Sequence, residues 1–306
     1  MFARRTILSA PLVAGAAGAL GPAVSSGVAS PEGDPIAAKL EALEVGQARL
    51  GVAIHDTETG AMGGHRLNEH FAMCSTFKLA LAAACYAKSE AGQIDLQKRI
   101  TFTADDLVVY SPVTRDYVGE KGMTLLELME ATVTTSDNTA ANLLIDALGG
   151  PAGVTAMFRS MGDDVTCLDR NEPMMNLVLS ADLRDTTTPA AMAGLVARFT
   201  AGPLLSEAAR KQLVQWKVDT RTGRIRIRAG LPNDWVSGDK TGTGRGPGIT
   251  NKYNDIAITY PPGRAPVVIC VYYDSARQSA EFEADQQAVL AEAGRLAADW
   301  IERRGR

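Results

Sequence analysis

The sequence predicts an α/β plus all-α protein, in which an antiparallel sheet flanked by helices lies beside a separate helical lobe. A helix and a strand pattern near the start of the chain are matched by three strand patterns and an amphipathic helix near its end. The stretch between them, from residue 75 to about 199, is mainly helical. We therefore expect both ends of the chain to complete one sheet, with an active site in the cleft between the two lobes.

The first 30 residues have the pattern of an export signal. Arg4 and Arg5 precede an apolar stretch rich in alanine and glycine, and small residues follow near Ala29 and Ser30. The arginine pair indicates the twin-arginine route, and an ordinary secretory signal with two basic residues is the alternative. No cysteine stands at the expected cleavage position, so no lipid anchor is predicted. We expect a periplasmic or secreted protein.

The rest of the chain has an acidic composition. Loss of Arg4 and Arg5 changes the formal charge from −4 to −6. This balance argues against nucleic acid or an anionic membrane surface as a partner. No later apolar run is long enough to span a bilayer. The expected partner is a small-molecule substrate, and nothing in the sequence requires more than a monomer.

Residues 31–73 and 219–306 are predicted to form the α/β lobe, and residues 74–218 the all-α lobe. In the first segment, residues 36–50 have a helical pattern with Ile36, Leu40, Leu43 and Val45 on the apolar side. Residues 51–56 then alternate like a strand and end at a turn.

A candidate nucleophile begins the helical lobe. Ser75 and Lys78 form an S-x-x-K pattern directly before the apolar run 79–85. Residues three apart share one face of a helix, so the ammonium group of Lys78 can lie beside the hydroxyl group of Ser75. A serine needs a neighbouring base to become a good nucleophile, and a lysine drawn into an apolar helix can lose its charge and serve as that base.

Two further motifs lie in polar stretches of the helical lobe. Ser136-Asp137-Asn138 precedes a helical pattern over residues 139–148, and Glu172 lies in a stretch of poor periodicity between Arg170 and Asn176. Each is common by itself, because S-D-N is usually an ordinary helix cap and an isolated glutamate is usually solvated.

The chain contains a second S-x-x-K pattern at Ser237 and Lys240. Gly238 and Asp239 disfavour a helix there, so Ser237 is not predicted to be a nucleophile. Lys240 instead begins the motif K-T-G, and strands are predicted over residues 240–243, 254–260 and 265–273. The helix at the end of the chain has Leu290, Leu296 and Trp300 among the residues of its apolar side.

The sequence contains Cys74, Cys85, Cys167 and Cys270, and the histidines His55, His65 and His70. An even number of cysteines in an exported protein allows disulfides, but three of these lie in apolar helix or strand patterns. We therefore expect free thiols. The histidines form no metal-binding pattern, so neither a metal site nor a Ser-His-Asp mechanism is predicted, and no cofactor is expected.

The ordered set S-x-x-K, S-D-N, a glutamate loop and K-T-G resembles the class A serine β-lactamases. The resemblance covers essentially the whole mature chain and includes the stretches 110–114 and 184–189. It implies a β-lactamase/transpeptidase-like fold with the active site between the lobes. It also implies hydrolysis of the β-lactam amide of penicillins and cephalosporins, which gives antibiotic resistance.

The resemblance assigns catalytic roles to five residues. Ser75 attacks the β-lactam carbonyl group, and Lys78 activates it directly or through a proton network that includes Glu172. Ser136, held near Lys240, passes a proton to the departing ring nitrogen. Glu172 activates the water that hydrolyses the acyl-enzyme. Which of Lys78 and Glu172 first accepts the serine proton is left open.

The implied substrate-binding residues are Tyr110, Asn138, Asn176, Thr241, Gly242, Thr243 and Arg226. Asn138 is expected to bind the side-chain amide of the substrate, and Asn176 to hold the hydrolytic water with Glu172. Lys240, Thr241 and Thr243 are expected to bind the substrate carboxylate. The backbone N–H groups of Ser75 and Thr243 are expected to form the oxyanion hole.

The chain also departs from the family pattern. Many members have an arginine where this chain has Ile249 or a close neighbour, and Arg226 lies where other members have a substitute arginine. The bridge that some carbapenem-hydrolysing members make from the position of Cys74 would need a cysteine at Gly244. Alternatives from other functional classes are a penicillin-binding D,D-peptidase and a β-lactam sensor domain. The peptidases lack the Glu172 loop, and a sensor would need a transmembrane segment.

Overall fold

The computed structural model describes residues 35–304. Its strands are β1 (Arg49–Asp56), β2 (Met62–His65), β3 (Phe71–Ala72), β4 (Arg99–Phe102), β5 (Gly119–Thr124), β6 (Thr186–Thr187), β7 (Val236–Gly246), β8 (Ile249–Tyr260) and β9 (Val267–Asp274). Its helices are α1 (Pro35–Glu41), α2 (Phe77–Glu90), α3 (Leu125–Thr134), α4 (Asn138–Ala147), α5 (Gly150–Ser160), α6 (Pro189–Thr200), α7 (Glu207–Asp219), α8 (Ile227–Gly230) and α9 (Ala284–Arg304).

A five-stranded antiparallel sheet has the order β2-β1-β9-β8-β7. Side chains alternate between its two faces, as the strand repeat requires. Val267, Ile269 and Val271 of β9 pack in the cluster that includes residues of α1, α8 and α9. Val268 and Cys270 of the same strand pack in the cluster that includes residues of α2 to α7. The strand β7 is an edge of this sheet, with β8 as its neighbour.

The predicted fold class is confirmed, and so is the amphipathic helix at the end of the chain, which is α9. Two of the three late strands, β7 and β8, are longer than predicted, whereas β9 begins two residues later and ends one residue later than predicted. The stretch predicted to be mainly helical also contains the short strands β4, β5 and β6, which the sequence pattern did not predict. The domain boundaries stay a prediction, and the proposed export signal lies outside the described residues.

The helix predicted over residues 36–50 is wrong beyond its first two turns. α1 ends at Glu41, and Gly46 has φ +66, a conformation outside the helical region. Glu44 leaves the helical path because its carboxylate accepts hydrogen bonds from Nε of Arg66 and the backbone N–H of Leu50, both at 2.7 Å. Val45, predicted on the apolar side, is 74% exposed.

No helix within residues 35–304 has the length and apolar character that crossing a membrane requires.

Candidate active site

A cleft of about 680 Å³ is lined by residues from the turn before α2, the start of α4, β7 and the loop that carries Glu172. Eight of the predicted site residues line it: Ser75, Tyr110, Ser136, Asn138, Asn176, Arg226, Thr241 and Thr243. Lys78, Glu172 and Lys240 are buried and bond to residues of its wall.

Ser75 lies in a 3₁₀ turn (Cys74–Thr76) that continues into α2. Gly242 of β7 packs directly against this turn, since a Cβ atom there would lie 2.7 Å from the carbonyl oxygen of Met73. Only glycine allows this approach of strand and turn. The close packing brings the K-T-G strand beside the nucleophile.

Lys78 is fully buried and is surrounded by acceptors. Its Nζ donates to the carbonyl oxygen of Ser136 at 2.9 Å and to Oδ1 of Asn138 at 2.5 Å, and it lies 3.0 Å from Oε1 of Glu172. Burial lowers the pKa of Lys78, and the carboxylate of Glu172 opposes this effect. Among the described residues no hydrogen bond joins Lys78 to Ser75; the hydroxyl group of Ser75 donates to Oε1 of Glu172 at 3.4 Å.

Glu172 is held by both its side chain and its backbone. Oε2 accepts a hydrogen bond from Nδ2 of Asn176 at 2.5 Å. Asn142 on α4 accepts from the backbone N–H of Glu172 at 2.9 Å and donates to its carbonyl oxygen at 3.0 Å. The peptide bond between Glu172 and Pro173 is cis. No motif indicated Asn142, because its partners are backbone atoms 30 residues away.

An ion pair closes the neck of this loop. Nε of Arg170 lies 2.5 Å from Oδ2 of Asp185, whose side chain is buried. Oδ1 of Asp185 also accepts the backbone N–H groups of Asp169 and Arg170 at 2.8 and 3.0 Å. Charge-assisted hydrogen bonds of this kind fix the two ends of the loop together.

Ser136 has a left-handed backbone conformation, with φ +62, just before α4. Asp137 caps that helix by accepting from the backbone N–H of Ala140 at 2.8 Å. The hydroxyl group of Ser136 accepts a hydrogen bond from Nζ of Lys240 at 3.1 Å. Burial, followed by the nearby charge of Lys78, lowers the pKa of Lys240 to about 7.

Arg226 is buried beside β7, lines the cleft and donates hydrogen bonds to three neighbouring residues. It donates to the carbonyl oxygens of Gly242 at 3.1 Å and of Asn254 at 2.7 Å, and to the hydroxyl group of Thr243 at 2.9 Å. Burial lowers the pKa of Arg226. Because the hydroxyl oxygen of Thr243 accepts from Arg226, its hydrogen is available to a ligand. The hydroxyl group of Thr241 is within 2.8 Å of that of Thr222, a lining residue that the sequence did not indicate.

The outer walls of the cleft carry exposed side chains. Tyr110 is 56% exposed and lines the cleft on one side. Its carbonyl oxygen accepts the backbone N–H of Asn138 at 3.0 Å, and the Asn138 amide donates to the carbonyl oxygen of Val109 at 2.8 Å. Arg245 and Phe282 form the opposite wall, with the guanidinium carbon 4.6 Å from the ring centre. No sequence motif indicated these two residues.

The four cysteines are free thiols, as expected. A Cβ atom at Gly244 would lie 2.9 Å from Sγ of Cys74, so the two positions are adjacent but only one is a cysteine. Within residues 35–304 no group of His, Cys, Asp or Glu side chains could hold a metal ion.

Comparison with known proteins agrees with this geometry. The sequence model of the β-lactamase enzyme family matches residues 35–301. The β-lactamase CTX-M-8 of Citrobacter amalonaticus is 45% identical over 262 residues, which are 85% of this chain and 87% of that protein. The chain belongs to the class A serine β-lactamases. The resemblance that the motifs indicated is thereby confirmed, and the protein is a β-lactam hydrolase that gives resistance to these antibiotics.

Other members of the family are similarly close. The β-lactamase OXY-2 of Klebsiella oxytoca is 44% identical over 279 residues, covering 91% of this chain and 93% of that protein. The solved structure of an ancestral class A β-lactamase, called GNCA, has 52% sequence identity and a TM-score of 0.81. The structural match covers 87% of this chain and 99% of the ancestral chain.

Proposed function

We propose that this β-lactamase opens penicillins and cephalosporins through an acyl-enzyme on Ser75, which is hydrolysed by water that Glu172 activates. One observation carries the proposal. The carboxylate of Glu172 lies within hydrogen-bonding reach of Ser75 through Oε1 and of Asn176 through Oε2. A single base can therefore serve both the nucleophile and a water molecule beside it.

In acylation, Oγ of Ser75 attacks the β-lactam carbonyl carbon while its proton leaves. The contact with Oε1 of Glu172 supports transfer to this carboxylate, with Lys78 holding the same oxygen from the other side. The backbone N–H groups of Ser75 and Thr243 would stabilise the negative charge that develops on the carbonyl oxygen. Loss of one such donor typically costs roughly 3–4 kcal/mol of transition-state stabilisation.

The ring nitrogen must receive a proton as the amide bond breaks. Ser136 is suited to supply it, because its hydroxyl oxygen accepts from both Lys240 at 3.1 Å and Lys78 at 3.4 Å. Its own hydrogen is then directed away from both ammonium groups. The substrate nitrogen would receive that proton, and one of the lysines would restore it.

In deacylation, Glu172 and Asn176 would hold the attacking water. Oδ1 of Asn176 is buried and has no hydrogen-bond partner in the described part of the chain. It can accept one hydrogen of the water while Glu172 accepts the other. The fixed neck of the loop and the backbone contacts of Asn142 keep this carboxylate in place.

The substrate carboxylate would lie at β7. Lys240 supplies the charge, Thr241 and Thr243 supply hydroxyl donors, and Arg226 orients the hydroxyl group of Thr243. The amide of Asn138 would bind the side-chain amide of the substrate at the other end of the cleft, with Tyr110 as a wall. We also propose that the protein is exported after loss of residues 1–30 and acts as a monomer.

The experiment compares the two serines of the two S-x-x-K patterns. Ser75→Ala is expected to lower the rate of benzylpenicillin hydrolysis by a factor of about 10³ or more. Ser237→Ala is the matched control, because Ser237 lies in β7 and its hydroxyl group pairs with Thr259 at 2.7 Å. Its activity should stay within about twofold of the parent. Hydrolysis that survives Ser75→Ala would contradict the proposal.

A further inference from the structure

Asn254 is a buried residue of β8 that no motif indicates. Its side chain is 1% exposed and does not line the cleft. Nδ2 donates to the carbonyl oxygens of Ala72 at 2.8 Å and Met73 at 3.1 Å. Oδ1 accepts the backbone N–H of Tyr273 at 3.4 Å. The whole amide group is therefore bonded to backbone, and two of the three bonds go to the segment that leads into Ser75.

Ala72 and Met73 lead directly into the 3₁₀ turn Cys74–Thr76, the nucleophile turn, and several hydrogen bonds constrain this segment. The carbonyl oxygen of Met73 also accepts from the backbone N–H of Thr76 at 3.3 Å and from its hydroxyl group at 2.8 Å. Cys74, between Met73 and Ser75, has φ +46, which an L-amino acid adopts only when its surroundings hold it. The bonds from Asn254 are part of what holds this conformation.

The backbone of Asn254 is connected to the other side of the site. In the antiparallel pairing of β7 and β8 it lies opposite Gly242. Its carbonyl oxygen accepts from Arg226, which also donates to the carbonyl oxygen of Gly242 and to the hydroxyl group of Thr243. Asn254 thus contacts the nucleophile turn through its side chain and the Thr243 strand through its backbone.

We infer that Asn254 is a positioning residue for the oxyanion hole, because it fixes the nucleophile turn with Ser75 relative to the strand with Thr243. This inference rests on the proposed acyl-enzyme mechanism, in which the N–H groups of those two residues act together. Oxyanion donors must lie about 2.7–3.1 Å from the developing charge. A misplacement of about 1 Å can slow a reaction roughly 10²-fold. Asn254 acts through Ser75 and Thr243 and does not touch the substrate.

The test uses Asn254→Ala and Asn254→Asp. Asn254→Ala removes the whole amide group. Asn254→Asp keeps a side chain of the same shape and the oxygen that accepts from Tyr273, but it loses both donated hydrogen bonds. Asn251→Ala is the matched control. Asn251 is a fully buried asparagine of the same strand whose amide donates to the carbonyl oxygen of Ser279 at 3.1 Å. It has no bond to the nucleophile turn among the described residues.

Three quantities are measured for each protein. The first is the acylation rate constant with a chromogenic cephalosporin, taken as the plateau of single-turnover measurements at saturating enzyme concentration, where it does not depend on the fraction of folded enzyme. The second is the inhibition constant of phenylboronic acid, whose adduct with Ser75 places a boron-bound oxygen in the oxyanion hole. The third is the midpoint of thermal unfolding, which reports stability separately.

Both Asn254 variants are expected to acylate about 10–100-fold more slowly than the parent. The boronate inhibition constant should rise by a similar factor, while Asn251→Ala stays within about twofold in both quantities. The inference is overturned if the Asn254 variants acylate at the parental rate, or if Asn251→Ala slows acylation as much as they do. A parent that forms no adduct on Ser75 contradicts the proposed function and this inference together, whereas a normally acylated Asn254 variant contradicts the inference alone.

Discussion

The Oγ atom of Ser75 lies 3.4 Å from Oε1 of Glu172. The same carboxylate oxygen lies 3.0 Å from Nζ of Lys78. The sequence left open which of the two residues first accepts the serine proton. These contacts favour Glu172 in that role, with Lys78 as the cation that stabilises the carboxylate and relays the proton towards Ser136.

Loss of the backbone contacts of Glu172 should impair its positioning. Asn142→Ala removes two hydrogen bonds, each worth about 1 kcal/mol, and we expect deacylation to slow about tenfold or more. If deacylation becomes limiting, kcat and KM for benzylpenicillin fall together because the acyl-enzyme accumulates. Steady-state kinetics with a pre-steady-state burst measurement tests this. A fall in kcat with an unchanged KM and no burst would contradict the positioning role.

Substrate affinity should depend on the charge of Lys240. Its pKa is lowered to about 7 by burial, so the ammonium group is charged below pH 7 and loses its proton as the pH rises through that value. KM for benzylpenicillin, whose carboxylate stays ionised throughout, is expected to rise several-fold, about tenfold at most, between pH 6 and pH 8. The measurement is KM as a function of pH.

Lys240→Arg is the control for that titration. An arginine stays charged at every pH used, so the alkaline rise in KM should disappear even if the variant binds more weakly overall. The charged groups whose fields act on Lys240 are Lys78, Asp239, Glu172 and Asp255, and they remain in the variant. A rise in KM of the same size in the arginine variant would assign the titration to another group.

Arg226 should affect carboxylate binding rather than the chemical step. Arg226→Ala removes the donor that orients the hydroxyl group of Thr243, and we expect KM to rise about tenfold with a smaller change in kcat. Arg224→Ala is the matched control, because Arg224 lies on the same segment and is exposed. Equal effects of the two substitutions would show that only the general charge of the segment matters.

The buried Lys217 should lower stability at neutral pH. Its Nζ has no hydrogen-bond partner in the described part of the chain, and burial lowers its pKa to about 8. Lys217→Met keeps the volume and removes the charge, so the free energy of unfolding at pH 7 is expected to increase by roughly 1–3 kcal/mol.

The pH dependence distinguishes this cause from better packing. Between pH 8 and pH 10 the folded parent binds one proton fewer than the unfolded chain at Lys217, so this residue makes stability rise with pH. The methionine variant lacks that contribution, and its advantage should shrink between pH 7 and pH 9. Urea unfolding of both proteins measures it. An advantage that stays constant with pH, or a variant less stable at pH 7, would contradict the explanation.

The motifs allowed much of the site to be predicted because each combines a local structure with a chemical group. Ser136-Asp137-Asn138 could be placed before a helix because Asp137 is a favourable N-cap residue, and it caps α4. The second S-x-x-K could be rejected because Gly238 and Asp239 disfavour a helix, and Ser237 indeed lies in β7.

The parts that could not be predicted depend on contacts between distant segments. Asn142 and Asn254 bond to backbone atoms that lie 30 and more than 180 residues away in the sequence. An asparagine in a helix or strand carries no local sign of such a partner. For the same reason the helix predicted over residues 36–50 was too long, since Glu44 pairs with Arg66, 22 residues later.

The central claim is that Ser75 forms an acyl-enzyme and that Glu172 is required to hydrolyse it. The most direct measurement is intact-mass spectrometry of residues 31–306 mixed with benzylpenicillin, in parallel with Glu172→Ala, while penicillin loss is followed. We predict that the parent clears the drug and is recovered unmodified, whereas the variant retains a penicilloyl adduct that peptide mapping places on Ser75. A parent that stays acylated without turnover, or a Glu172→Ala variant that clears the drug at the parental rate, would contradict the account.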